Sequence, residues 1–159
     1  MRSLAIFSLG LMICLATGCP KAGGGGQPAA NATALPKGWP IAALTIPAGG
    51  KVFEGNVDTH GSGPSTDYTV FFTSAQPYDA VRGEVEGKLK PLKYVIIPDD
   101  PSAPKTTRTW SSPDGKLIVL LSYEESKDSQ EKLGQPGFYT LLVQAMNDPV
   151  PVDSTWQKL

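Results

Sequence analysis

The sequence predicts an α+β fold, a single and mainly antiparallel sheet with one helix packed on a face. Six segments are rich in β-branched and aromatic residues and are separated by glycine, proline and other turn-forming residues. One further segment repeats its apolar residues with the period of a helix. The order along the chain is β-β-α-β-β-β-β. Because runs of strands flank a single helix, α+β is the fold class expected.

The helix is predicted between Pro77 and Lys90. Its large apolar residues recur at intervals of three, four and four positions, which places them on one stripe of a helix: Tyr78, Val81, Val85 and Leu89. Pro77 suits the first helical turn, and Pro91 cannot continue a helix. Gly83 and Gly87 lie off the stripe, and each costs up to about 1 kcal/mol relative to alanine. We therefore expect this helix to need the sheet for its stability.

The strands fall within a predicted domain at residues 39–148, at positions 51–57, 67–74, 93–97, 106–111, 116–123 and 138–146. The run Pro113-Asp114-Gly115 predicts a hairpin turn between two of them. Residues 39–47 form a proline-punctuated apolar segment that is expected to pack along the domain edge. Residues 124–135 are predicted as a charged loop, and residues 149–159 as an extended tail.

Composition limits the class of protein. The chain has 159 residues, enough for one domain, and its 40% hydrophobic and 18% charged residues are typical of a globular protein. The formal net charge of −1 provides no electrostatic footprint for nucleic acid or for an anionic membrane surface. No cofactor is predicted.

Residues 1–18 have the zones of an export signal. Met1-Arg2-Ser3 carries one positive charge, and residues 4–16 form an uncharged apolar run. A helix over that run rises only about 20 Å, short of the roughly 30 Å hydrocarbon core, so a permanent membrane span is disfavoured. The small residues Ala16-Thr17-Gly18 then suit a processing enzyme. Residues 1–18 are therefore predicted to be a signal peptide.

The run Ala16-Thr17-Gly18-Cys19 resembles the lipobox of bacterial lipoproteins. The resemblance implies that the Cys19 sulfur receives a diacylglyceryl group, that cleavage falls after Gly18, and that the chain is held by lipid in the bacterial cell envelope. The chemistry requires a cysteine because its thiolate is the nucleophile. The sequence departs from the commonest pattern at Ala16, where leucine is preferred. Pro20 is an unusual second mature residue, and it leaves the choice between inner and outer membrane open.

The alternative interpretation is an ordinary secretory signal that ends beside a free cysteine. Cys14 lies in the part to be removed, so Cys19 would be the only thiol of an exported chain and would have no partner for an intramolecular disulfide. Lipid attachment accounts for that single thiol. One myristoyl chain binds a membrane only marginally whereas two chains hold firmly, so a diacylglyceryl group suffices as an anchor.

A flexible tether is predicted to follow, at residues 20–36 within a linker that spans residues 19–38. Almost no large apolar side chain occurs there before Leu35, so the segment cannot bury enough surface to offset its ordering entropy. Seventeen such residues have a root-mean-square reach of about 23 Å. The four glycines at positions 23–26 are not predicted to bind phosphate, because no strand precedes them and no helix follows.

A second resemblance covers most of residues 40–146. The order of segments resembles small bacterial lipoproteins that have one helix-on-sheet domain. It runs from Ile46-Pro47-Ala48-Gly49-Gly50, through the strand-to-helix junction DYTVFFTSAQPYDAV, to the final strands. The resemblance implies the same fold. It implies no catalytic residues, because none are defined for that group.

The sole histidine, His60, lies in a polar run at residues 58–67. One interpretation makes His60 a base for Ser62 or Ser65, or a metal ligand together with Asp58 and Asp67. The favoured interpretation is a polar hairpin loop, since glycine, proline, serine and aspartate are the residues that turns require. No second histidine or further cysteine supplies the usual zinc ligands.

Two tryptophans are candidates for contacting a partner, because tryptophan is enriched at binding hot spots. Trp110 is predicted on a hairpin strand and Trp156 in the tail. Packing in the core or at an edge is the favoured alternative for Trp110 and an open one for Trp156. Asp99 and Asp100 have oxygens suited to calcium, but a solvated turn is favoured because no acidic residues follow at alternating positions.

These features predict a membrane-anchored cell-envelope lipoprotein. Its domain is expected to bind or support an envelope protein partner and to be non-catalytic. The alternative is a carrier of a small apolar or lipid-like ligand held between helix and sheet. A third, lower-ranked hypothesis is a hydrolase that uses the His60 loop.

Overall fold

Seven strands, two α-helices and one 3₁₀ turn make up the part of the chain that the computed structural model describes, namely residues 35–59, 65–100, 102 and 104–159. In chain order these elements are β1 (Lys51–Thr59), β2 (Ser65–Thr73), α1 (Tyr78–Leu89), the 3₁₀ turn (Lys90–Leu92), β3 (Val95–Ile97), β4 (Thr107–Ser111), β5 (Leu117–Glu125), α2 (Lys127–Leu133), β6 (Gly137–Met146) and β7 (Gln157–Lys158).

The strands form one sheet in the order β1-β2-β6-β5-β4-β3-β7, and every neighbouring pair is antiparallel. With α1 packed on one face, this arrangement confirms the predicted α+β fold. Each of the six predicted strands is present, with ends within two residues of those expected. The predicted hairpin turn joins β4 to β5.

The core lies between α1 and one face of the sheet. The predicted stripe is buried, since Val81, Val85 and Leu89 have no exposed surface. Opposite them, alternate strand residues face the helix, and the register aligns them in rows across the sheet. The central row is Leu121, Leu141 and Val70, each fully buried.

Aromatic residues in the next row connect the sheet to the start of α1. The rings of Phe72 and Tyr139 are stacked with their centroids 5.1 Å apart, and both side chains are almost completely buried. The Tyr139 hydroxyl donates a hydrogen bond to the Gln76 carbonyl at 2.7 Å. Burial raises the pKa of Tyr139 to about 12. Pro77 follows as the residue before the first helical one, and its carbonyl accepts the Ala80 amide at 3.0 Å.

The N-terminal segment, residues 35–50, contributes two residues to the core. Ile41 is 4% exposed and Leu44 is fully buried. Trp39 Nε1 donates to the Leu44 carbonyl at 2.9 Å, which holds the segment in a tight bend. The sequence analysis did not predict that Ile41 and Leu44 belong to the core.

Side chains of α1 fix this segment to the helix. The Ala48 amide donates to Glu84 at 2.8 Å, and Lys88 Nζ donates to the Thr45 carbonyl at 3.0 Å. The hydrogen bond from Ala48, and then that from Gln76, hold the pKa of Glu84 below its usual value. The polar side of the helix is therefore used for structure as well as for solvation.

The predicted charged loop at residues 124–135 is wrong in its middle part, where α2 forms. The sequence of α2, KDSQEKL, contains strong helix formers but no apolar stripe, so hydrophobic periodicity did not reveal it. Gly134 adopts a positive φ of 66° directly after the helix, as is common at helix C-termini. Neither α1 nor α2 is long and apolar enough to cross a membrane.

The predicted extended tail ends in a short strand, which the sequence analysis did not predict. β7 pairs with β3, with Lys158 opposite Val95 and Gln157 opposite Ile96. The Leu159 amide donates to the Tyr94 carbonyl at 3.3 Å. A strand of two residues is too short to produce an alternating pattern, so the sequence contained no signal for it.

Replacing Leu89 with alanine tests the core. We expect Leu89→Ala to lower the free energy of unfolding by about 2–5 kcal/mol, because it leaves a cavity beneath α1. Leu92→Ala is the matched control. Leu92 is 41% exposed, so its truncation should change the free energy of unfolding by only about 0.5 kcal/mol. Urea denaturation of both variants measures the difference, and equal losses would contradict the placement of Leu89 in the core.

A candidate ligand-binding cleft beside the C-terminal tail

A glycine holds the tail against the β4–β5 turn. Gly115 adopts a φ of 69°, and the Val150 amide donates to its carbonyl at 2.9 Å. A Cβ at Gly115 would collide with the Val150 carbonyl oxygen. Only glycine therefore combines this backbone conformation with such a close approach. The contact brings the tail across the end of the sheet.

Short polar contacts define the β4–β5 turn. Ser112, which is 5% exposed, donates from its hydroxyl to Asp114 at 2.6 Å and accepts the Leu117 amide at 2.9 Å. The Lys116 amide donates to the same Asp114 oxygen at 3.2 Å. The Ser112 hydroxyl, more than any other neighbour, lowers the pKa of Asp114. The turn thus presents a fixed wall to the tail.

On the other side, the 3₁₀ turn redirects the chain from α1 into β3. Pro91 lies inside this turn, and Lys93 after it adopts a left-handed φ of 60°. Tyr94 follows and is 3% exposed. Desolvation by burial raises the pKa of Tyr94 to about 12, with a smaller contribution from Asp114, so the phenol stays protonated at neutral pH.

A pocket of 370 Å³, which we call the tail cleft, lies between these parts. Its walls are mostly apolar. The residues that line it are Lys90, Lys93, Tyr94, Val95, Pro113, Val152, Asp153, Ser154, Trp156, Lys158 and Leu159. They come from the end of the helix, from β3, from the β4–β5 turn and from the tail. Sequence reasoning singled out Trp156 among them and missed the others.

A tight turn positions Trp156 in the tail cleft. The Trp156 amide donates to the Asp153 carbonyl at 3.1 Å. The Asp153 carboxylate accepts both the amide and the hydroxyl of Thr155, each at 2.8 Å. These two hydrogen bonds, the backbone one first, lower the pKa of Asp153. Trp156 remains half-buried, with part of its indole available to the cleft.

A second pocket, which we call the N-terminal groove, shares Tyr94 and Pro113 with the tail cleft. It has a volume of 660 Å³ and is more open. Leu92, at 41% exposure, lies in its wall beside the N-terminal residues 40–43. An exposed leucine in a shallow apolar groove suits contact with another apolar surface.

The other predicted tryptophan has a structural place. Trp110 is fully buried in the core between α1 and the sheet, so the core-packing alternative is the one the structure shows. Its indole Nε1 has no hydrogen-bond partner. A partner therefore cannot contact the Trp110 side chain in this conformation.

The structure places both ends of the polar run around His60 in strands. Asp58 lies in β1, and Ser65 and Asp67 lie in β2, where Asp58 and Asp67 are opposite each other in the register. The Ser65 hydroxyl donates to Asp67 at 2.6 Å, and the Gln144 side chain donates to it at 3.2 Å. These partners fix Asp67 on the sheet surface. His60 and Ser62 lie outside the described residues.

The two aspartates considered for calcium have other partners. Asp99 forms an ion pair with Arg108 at 2.8 Å. Asp100 accepts the hydroxyl of Ser102 at 2.6 Å and its amide at 2.8 Å, and these contacts lower the pKa of Asp100. In the described part of the chain, no three histidine, cysteine, aspartate or glutamate side chains lie close enough together to hold a metal ion.

The lipid-attachment prediction at Gly18 and Cys19 lies outside the described residues. Comparisons of this chain with family models, with curated proteins and with solved structures find no match.

The position expected for an apolar ligand, between helix and sheet, is filled by side chains. Val85 from the helix, together with Trp110 and Leu141 from the sheet, leave no exposed surface there. The tail cleft and the N-terminal groove lie instead at the end of the helix and beside the tail. They are built from segments far apart in the sequence, so spacing between neighbouring residues gave no signal for them.

Replacing Gly115 with alanine tests how the tail is held. A left-handed conformation costs an alanine about 1–2 kcal/mol, and at Gly115 the collision with Val150 adds to that cost. We expect Gly115→Ala to lower the free energy of unfolding by more than 2 kcal/mol and to speed hydrogen exchange at the Val150 amide. Gly134→Ala is the control, since Gly134 has a φ of 66° but nothing within 4 Å of its Cβ position. Unchanged exchange at Val150 in Gly115→Ala would contradict this account.

Proposed function

We propose that the protein is a membrane-anchored cell-envelope lipoprotein with a non-catalytic binding domain, whose ligand site is the tail cleft. The anchor rests on the lipobox-like run that ends at Cys19. The binding role rests on one observation, the apolar cleft of 370 Å³ with Trp156 in its wall. This volume lies within the range of about 300–1,000 Å³ that is usual for small-molecule sites.

A diacylglyceryl group on Cys19 would bind the membrane strongly enough to hold the chain there. Each buried CH₂ of an acyl chain contributes about 0.8 kcal/mol, and a diacylglyceryl group carries two chains. The predicted tether of residues 20–36 then keeps the domain within about 23 Å of the membrane on average. A ligand site on such a domain works at the membrane surface.

The nature of the cleft walls favours a small apolar ligand. Tyr94 and Val95 form a buried base at 3% and 8% exposure, and Val152 and Trp156 are half-buried above it. An apolar ligand would remove the remaining surface of these side chains from water. Removing apolar surface from water contributes about 25 cal/mol per Å² before the costs of association.

A protein partner is the second candidate, and Leu92 favours it. Among the described residues, Leu92 is the one large hydrophobic side chain that is exposed, and it borders the open N-terminal groove. A partner side chain inserted beside Leu92 would make an apolar anchor of the kind found at interface centres. The two candidates use different surfaces, so they can be separated by substitution.

Intact mass spectrometry tests the anchor. When the full chain is produced in a bacterial host that processes lipoproteins, we expect a product that begins at Cys19 and carries diacylglyceryl mass. Cys19→Ser should remove the lipid mass, because serine provides no thiolate. Cys14→Ser is the matched control and should leave the mature mass unchanged. An unmodified N-terminus in the unsubstituted protein would overturn the anchor.

Photolabelling tests the ligand site. The full-length lipidated protein in phosphatidylcholine nanodiscs is labelled with a diazirine derivative of decanol, and the labelled peptides are identified by mass spectrometry. We expect labels within residues 152–159, which line the tail cleft and not the N-terminal groove, and within residues 90–95, which include residues of both. Trp156→Ala should reduce them about tenfold, equivalent to about 1.4 kcal/mol of binding.

Leu92→Ala is the control for position, because Leu92 lines the N-terminal groove and not the tail cleft. It should leave labelling of the tail cleft unchanged. If only Leu92→Ala reduced labelling, the groove rather than the tail cleft would be the binding site. If the probe labelled neither peptide of the tail cleft, the ligand-binding proposal would fail.

A further inference from the structure

Three lysines surround the tail cleft. Lys90 is the first residue of the 3₁₀ turn, Lys93 directly follows the turn, and Lys158 lies in β7. All three are exposed at the cleft, and none forms an ion pair with a described carboxylate. The cleft therefore has three ammonium groups whose charge is not neutralised by a direct partner within the described residues.

The acidic side chains nearby already have hydrogen-bond or ion-pair partners. Asp153 is the one aspartate or glutamate among the described residues that line the tail cleft, and its carboxylate accepts two hydrogen bonds from Thr155. Glu86 lines a neighbouring pocket together with Lys90 and Lys158, but its carboxylate faces Arg82 at 3.8 Å. The side chains that line the tail cleft carry three positive charges and one negative charge, although the whole chain has a net charge of −1.

The apolar and charged parts of the tail cleft suit the two ends of one kind of molecule. Apolar walls favour a hydrocarbon body and exclude a fully hydrated ion. Ammonium groups at the margin favour an anionic head, with which they form charge-assisted hydrogen bonds. A neutral ligand would leave the lysines unused, and a cationic ligand would be repelled by them.

We propose that the tail cleft binds a free, single-chain amphiphile with an anionic head, its chain against Tyr94, Val152 and Trp156 and its head at the lysines. This inference rests on the proposed ligand-binding role and adds the chemical class of the ligand. The charge complementarity of Lys90, Lys93 and Lys158 carries it.

Photolabelling with two probes of equal length tests the charge. The full-length protein in phosphatidylcholine nanodiscs is labelled with diazirine derivatives of decanoate and of decanol. We expect decanoate to label residues 90–95 and 152–159 about tenfold more than decanol does at equal membrane concentration. In the triple variant Lys90→Gln, Lys93→Gln and Lys158→Gln this preference should disappear, while labelling by decanol should persist and show that the cleft is intact.

Lys51→Gln is the matched control. Lys51 is an exposed lysine on β1, at the opposite edge of the sheet from β7, so the preference for decanoate should remain. Equal labelling by both probes in the unsubstituted protein would overturn the anionic class and leave the binding of an apolar ligand standing. No labelling of the cleft by either probe would overturn both proposals. Equally strong labelling by a photoreactive phosphatidylglycerol in the discs would identify a membrane lipid and overturn the free amphiphile.

Discussion

Burial of one apolar stripe of α1 on the sheet is the contact on which the rest of the structure depends. Val81, Val85 and Leu89 lose all their exposed surface there. Each contributes roughly 1.5–3 kcal/mol by that burial, which exceeds the cost of up to about 1 kcal/mol for each of Gly83 and Gly87. The helix is stable because the sheet covers its stripe. Its polar side is then free to hold the N-terminal segment.

The tail cleft follows from how this helix ends. Leu89 is the last core residue of α1, and Pro91 confines the next residues to a 3₁₀ turn. Lys93, whose backbone conformation is left-handed, then directs the chain into β3, a strand of three residues near the edge of the sheet. β4 pairs with one side of β3, and β7 pairs with the other. The tail that leads to β7 becomes the outer wall of the cleft.

Local patterns predicted those parts of the molecule that are built from neighbours in the chain. The stripe of α1, the six main strands and the turn at Gly115 each have a signal within about ten residues. β7 has two residues and α2 has no apolar stripe, so neither produced such a signal. The tail cleft joins Lys90 to Trp156 across 66 positions of sequence, and only the completed sheet brings them together. Trp156 was recognised from its residue type, not from its surroundings.

The first described residues of the chain meet the sheet at the edge opposite β7. Pro36 packs beside Gly55 of β1, where a Cβ would lie 3.5 Å from the proline ring, so the tether reaches the domain at the β1 edge. Six strand spacings separate β1 from β7, or about 29 Å. The same N-terminal segment continues to residues 40–43, which line the groove that shares Tyr94 and Pro113 with the tail cleft, so the N-terminal segment and the C-terminal tail border one apolar region.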